Sequence, residues 1–339
     1  MMKLSLHHSG CEKLLRYLTL HVDDSLVEKR RILDELFRDS AFSRWVQAYT
    51  MYPGIEEALR ETLLDLGDQP VYPPNEALLR KIREGFTQAA GEGFELMERR
   101  LQATMSIDSG RLEGLVNRYL PPDTPLNVDV VFTVDNFNTG MMRENTVFYS
   151  VLRIDPEGFD PLRLAHEVHH VGVYHWVMKN QRWRKGYSMK GRPDRAAAEL
   201  LAYVVAEGIA NRFMSPSAVS LWEGGDERTR RHNERVKEAE GNHLDYLRLM
   251  EEVLLRSLDG DHEKSGECFR KLSIDLTGAG LPAGHYASAR MFTELMREHE
   301  ESIVKTIIRD PWRFFTLYDE LDAKEYCFGK KFLSFFQDQ

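Results

Sequence analysis

Residues 166–170 read His-Glu-Val-His-His, an H-E-x-x-H pattern that commits its segment to a helix if the histidines act together. An α-helix sets positions i and i+4 on one face, so His166 and His170 can direct imidazole nitrogens at one point. Zinc accepts such nitrogens at about 2.0–2.1 Å and imposes little geometry of its own. Glu167 lies about 100° further round the helix, off the ligand face. It still reaches a water at the metal's open position, where a carboxylate serves as general base. A chain with 12 histidines and 54 acidic residues yields this pattern by accident about 0.07 times, so the surroundings must support it.

They do. Asp160 is a good N-cap, and Pro161 suits the first helical position, where its missing N–H costs nothing. Leu162, Ala165, Val168, Val171 and Trp176 mark an apolar side that can bury against a core. Histidines among such residues need partners for their nitrogens, and a metal supplies one. His169 is displaced from the ligand face and is expected in a supporting or surface role.

A catalytic zinc takes a third protein ligand and leaves the fourth position open. A second strong helix opens at Asp194 and stops at Ser215-Pro216, with a Gly/Pro-containing turn at 186–193 between the two. In an antiparallel hairpin, His170 lies about 21 Å from a first-helix end near Arg184, and Glu207 about 20 Å from Asp194. That register sets Glu207 beside His170 and leaves Glu199 about 12 Å away along the axis. Glu207 is the expected third ligand, and Glu199 is expected at the surface or behind the ligands. Val204, Val205, Ala206 and Ile209 make the flanks apolar, so a carboxylate there needs a cation or a proton. Gly208, with Gly172 opposite, is expected to let the two helices approach closely. Asn211, one turn on, is placed to hold the second nitrogen of a ligating histidine.

On these residues the chain resembles the gluzincin metallopeptidases, in which an H-E-x-x-H helix is followed by a ligand glutamate on the next helix. Residues 206–210, Ala-Glu-Gly-Ile-Ala, resemble the E-G-[FIL]-A stretch that carries that glutamate. Residues 165–170 and the later E-G-I-A are also similar to a family of zinc-dependent peptidases sharing A-H-E-x-H-H. Residues 140–145 resemble the gluzincin G-x-M-E-N motif with one residue too many. The resemblance spans about residues 126–214 and implies a zinc peptidase with one Zn²⁺ per chain. It further implies a Tyr or His from a later helix as donor to the oxyanion, and His285 and Tyr286 stand where such a helix opens. A core role for Tyr286 competes with that one.

Residues 127–134 and 146–154 are β-branched and aromatic-rich and predict a small antiparallel sheet joined by a polar loop at 135–145. An edge strand of that sheet could pair with a substrate backbone. The rest reads as helix, including amphipathic stretches at 26–37, 55–66 and 75–101, a charge-dense stretch over 225–258, and an aromatic helix after Asp310-Pro311. The expected fold is therefore mainly α with a small antiparallel β-sheet, around a gluzincin-like core. A helical region at 1–120 is followed by a catalytic region at 121–339, which holds the hairpin 127–154, the metal helices 160–214 and a helical part 225–339.

A net charge of −9 without a basic cluster argues against nucleic acid as partner. Three well-separated cysteines give no disulfide framework. The first 25 residues hold no apolar run of signal-peptide length, and nothing approaches a membrane span, so a soluble cytoplasmic protein is expected. The expected activity is peptide hydrolysis with His166, His170 and Glu207 on zinc and Glu167 as base, acting on a peptide or protein substrate. Two other readings share the motif: a zinc-binding scaffold without activity, and a metal-free helical interaction protein.

Overall fold

Val130, Val131, Phe132 and Val134 are buried in succession, as are Val147, Phe148 and Tyr149. An unbroken apolar run, rather than alternation, marks a strand covered on both faces. In the computed structural model, which describes residues 2–19, 26–49, 52–66, 77–136, 140–188, 192–274 and 281–337, these runs form central strands of a four-stranded mixed sheet. Its order is β1 (Lys3–His7), β2 (Asn127–Thr133), β4 (Thr146–Ser150), β3 (Gly140–Arg143). The two expected strands are parallel neighbours, not an antiparallel pair. The antiparallel partner of β4 is β3, which pairs Gly140 with Tyr149 inside the stretch expected as a loop. Residues 137–139 of that stretch lie outside the described residues. On the other side of β2, the N-terminal β1 adds in parallel, matching Lys3 with Asn127.

The chain divides into two compact units, Met1–Glu113 with Leu126–Val171, and Gly114–Pro125 with Gly172–Gln339. This differs from the expected junction at 121–125, because β1 and β2 belong to one sheet. The division falls within one unbroken helix, α8 (Pro161–Lys179). The first unit holds the sheet and α1 (Ser9–Leu18), α2 (Leu26–Phe37), α3 (Ser40–Ala48), α4 (Ile55–Leu64), α5 (Ala77–Glu92) and α6 (Phe94–Met105), with the start of α7 (Ser109–Arg118). Helix α1 packs against α3, α5, α6 and β2. Asp135, buried after β2, accepts from Trp45 Nε1 at 3.1 Å and from the Tyr49 hydroxyl, and its N–H donates to Ser150 Oγ at 3.2 Å. A buried carboxylate is tolerated where such donors replace water.

The second unit is helical. It holds the end of α8, α9 (Gln181–Ser188), α10 (Pro193–Ile209), α11 (Glu227–Gly241), α12 (His243–Leu258), α13 (His262–Ser273), α14 (Ala283–Glu298), α15 (Ser302–Arg309), α16 (Phe314–Asp319) and α17 (Lys330–Gln337). Helix α10 lies against α9, α12 and α14. The aromatic run after Asp310 is core, as its spacing predicts: Trp312, Phe314, Phe315 and Tyr318 are all buried. No helix among the described residues is long and apolar enough to cross a membrane.

The two glycines expected to bring α8 and α10 together serve other contacts. A Cβ at Gly208 would stand 2.5 Å from the Phe292 ring and 3.0 Å from the Ser288 carbonyl oxygen, so this glycine admits α14. A Cβ at Gly172 would stand 2.3 Å from Cδ1 and 3.2 Å from Cγ of the fully buried Leu120. The backbone oxygen cannot give way, whereas a leucine tip can rotate. Gly208→Ala is expected to cost about 1–3 kcal/mol of stability despite the roughly 1 kcal/mol gained in helix propensity. Gly172→Ala is expected to cost less, because only a side chain must shift, and urea denaturation of both variants checks the contrast.

Candidate metal centre

Asp160 accepts from the N–H of Leu162 at 3.0 Å through its side chain, so α8 opens at Pro161 as its capping residue predicts. One turn apart on it, the His166 and His170 rings stand edge to face with centroids 4.6 Å apart. His170 is buried, and His169 is fully buried, which rules out the surface alternative for it. Glu167 turns toward the sheet: a Cβ on Gly140 would fall 2.8 Å from the Glu167 Cδ and 3.0 Å from its Cγ. Gly140 opens the edge strand β3, so its missing side chain is the space the Glu167 carboxylate fills. In the 140–145 stretch it is Gly140 that meets the glutamate of α8. Glu144, at the hairpin turn, is exposed with a left-handed φ of 56°.

Helix α8 ends at Lys179, short of the expected Arg184, because Asn180 caps a new helix, accepting from the N–H of Arg182 at 3.0 Å. Helix α10 then runs from Pro193, with residues 189–191 of the expected turn outside the described residues. At its end the backbone widens into a π-helical turn, Ala210–Met214, and stops at Ser215-Pro216 as the sequence predicts. Such single turns are frequent at functional sites. Here the turn carries Asn211, whose Nδ2 donates to the Glu207 carbonyl at 2.9 Å and to Glu207 Oε2 at 3.0 Å. Asn211 thus holds the expected carboxylate ligand itself, not the ring nitrogen of a histidine.

One ligand atom from each of His166, His170 and Glu207 lies within 4.8 Å of the other two. Two imidazole nitrogens and one carboxylate oxygen are a donor set that zinc accepts, and the spacing fits the group. His285, near the start of α14, sets Nε2 3.4 Å from Glu207 Oε2, so the expected oxyanion donor stands at the carboxylate. Tyr286 is not brought there. It is buried against Val236 and Ala239, with its ring 5.9 Å from that of His243. Glu199 pairs with Arg195 at 2.6 Å, one turn back along its own helix, and takes no part in the cluster.

Two tyrosines escape sequence reasoning. Tyr203 is half-buried one turn before Glu207, and its hydroxyl donates to the Leu272 carbonyl at 3.1 Å. Burial, and then the Glu207 carboxylate, push its phenol well above the usual range. Tyr149, opposite Gly140 in the sheet, is likewise raised by burial, with Glu167 adding to the shift. Their sequence signal is that of core tyrosines.

No curated protein and no solved structure matches the chain. A family profile with the description "putative zinc dependent peptidase (DUF5700)" matches residues 111–325, well over half of the sequence and all of α8, α10 and α14. The chain belongs to that family.

Proposed function

We propose that the chain is a zinc metallopeptidase of gluzincin type in which His166, His170 and Glu207 hold one Zn²⁺ and Glu167 is the general base. The observation that carries this reading is the three-donor cluster with Glu167 beside it on α8 and turned to the sheet edge. Bound there, zinc supplies a Lewis acid for the carbonyl to be cleaved and makes a neighbouring water easier to deprotonate. Glu167 takes a proton from the water whose oxygen adds to the carbonyl carbon. It delivers that proton to the amine nitrogen as the C–N bond breaks, so no net proton is gained or lost. Asn211 and His285 both contact Glu207 Oε2 and so restrain the carboxylate before the metal arrives, which lowers the entropy lost when the site assembles.

The substrate class follows from β3. It is an edge strand of the sheet, and Glu167 lies at its first residue. A peptide laid along β3 by strand addition brings a backbone amide to the base, whereas a compact amide would find no such ladder.

Two variants test the assignment. Glu167→Gln is expected to retain zinc and to lower peptide hydrolysis at least about 100-fold, in a fluorogenic peptide-library assay with metal content measured in parallel. Hydrolysis at the wild-type rate would remove Glu167 from the mechanism. Gly140→Ala is expected to displace the Glu167 carboxylate and lower kcat about 10-fold or more, with zinc content and thermal stability unchanged.

A further inference from the structure

Glu294 sits in the middle of α14, 2 % exposed, where a carboxylate needs partners for both oxygens. Oε2 has them, accepting from the Tyr318 hydroxyl at 2.6 Å and from the Glu325 N–H at 3.2 Å. Oε1 is buried without a hydrogen bond, and its ion-pair partner Arg290 Nε is 3.7 Å away. His243, the first residue of α12, is 5 % exposed, and neither ring nitrogen makes a hydrogen bond. Its Nε2 lies 3.3 Å from Glu325 Oε2. The other oxygen of Glu325 is taken by the Arg290 guanidinium. Each carboxylate therefore has one oxygen committed and one left over. One ligand atom from each of His243, Glu294 and Glu325 lies within 4.8 Å of the other two.

We propose that His243, Glu294 and Glu325 form a second divalent-cation site, separate from the peptidase centre and structural in role. One imidazole nitrogen and two carboxylate oxygens suit zinc or manganese better than calcium or magnesium, which take oxygen alone. With Arg290 present and His243 neutral, two carboxylates leave the cluster one negative charge in excess, which a divalent cation more than offsets. A proton on His243 would balance the same charge, but burial lowers the basicity of that ring. The cation would join α12, α14 and the segment carrying Glu325, three pieces of chain with no local contact in sequence.

The test uses the full chain carrying His166→Ala and His170→Ala, purified without a histidine tag, stripped with chelator and titrated with zinc chloride by calorimetry. About one zinc per chain and a rise in Tm with added zinc are expected, both lost on adding Glu294→Gln, which keeps an acceptor for Tyr318. Less than about 0.2 zinc per chain, or binding that Glu294→Gln and His243→Gln both leave unchanged, overturns the proposal. If the double variant does not fold, the same titration on the unaltered chain decides. One zinc fewer in Glu294→Gln supports the site, and an unchanged count overturns it. Because the first variant lacks the peptidase ligands, the outcome is independent of the proposed peptidase centre.

Discussion

The Glu207 carboxylate lies mostly buried on α10, with Ile209 and Val204 as fully buried neighbours, and its Oε2 stands 3.0 Å from Asn211 Nδ2 and 3.4 Å from His285 Nε2. Asn211 and His285 orient it but bring no fixed positive charge. The strong response to such burial is a cation or a proton, and two imidazole nitrogens beside it favour the cation. The geometry of α8, the π turn at the end of α10 and the approach of α14 over Gly208 all serve to hold that carboxylate in place. The family assignment agrees with this electrostatic requirement without being its source.

Local patterns were legible wherever the determinants lie within one or two turns of helix. Asp160 and Pro161 announce the start of α8, and Ser215-Pro216 the end of the following helix. The register of two antiparallel helices is enough to prefer Glu207 to Glu199. The misplaced end of α8 did not disturb that choice, because α9 continues along α10 after the cap at Asn180. Strand direction was less accessible. The runs at 127–133 and 146–150 show that strands exist, but only their continuous burial tells that they are parallel and covered on both faces. Strand β1 was missed because Lys3–His7 is short and its partner lies more than a hundred residues away, so its stability is wholly tertiary.

Contacts that depend on three-dimensional packing were the least visible. Gly208 and Gly172 read as allowances for one helix pair, yet they admit Phe292 and Leu120. The His243, Glu294 and Glu325 cluster has no motif spacing, since its three donors come from two helices and an irregular segment. A buried carboxylate in an amphipathic helix is its one trace in the sequence, and without neighbours that trace reads as surface charge. The chain thus pairs a motif-encoded centre with a cluster that only folding assembles.

Zinc binding by His166, His170 and Glu207 is decided by a crystal structure with anomalous diffraction recorded across the zinc absorption edge. A zinc peak bonded by His166, His170 and Glu207 at about 2.0–2.2 Å is expected, with Glu199 outside bonding distance. A zinc-loaded crystal with no peak between His166 and His170, or with a third ligand other than Glu207, would contradict it.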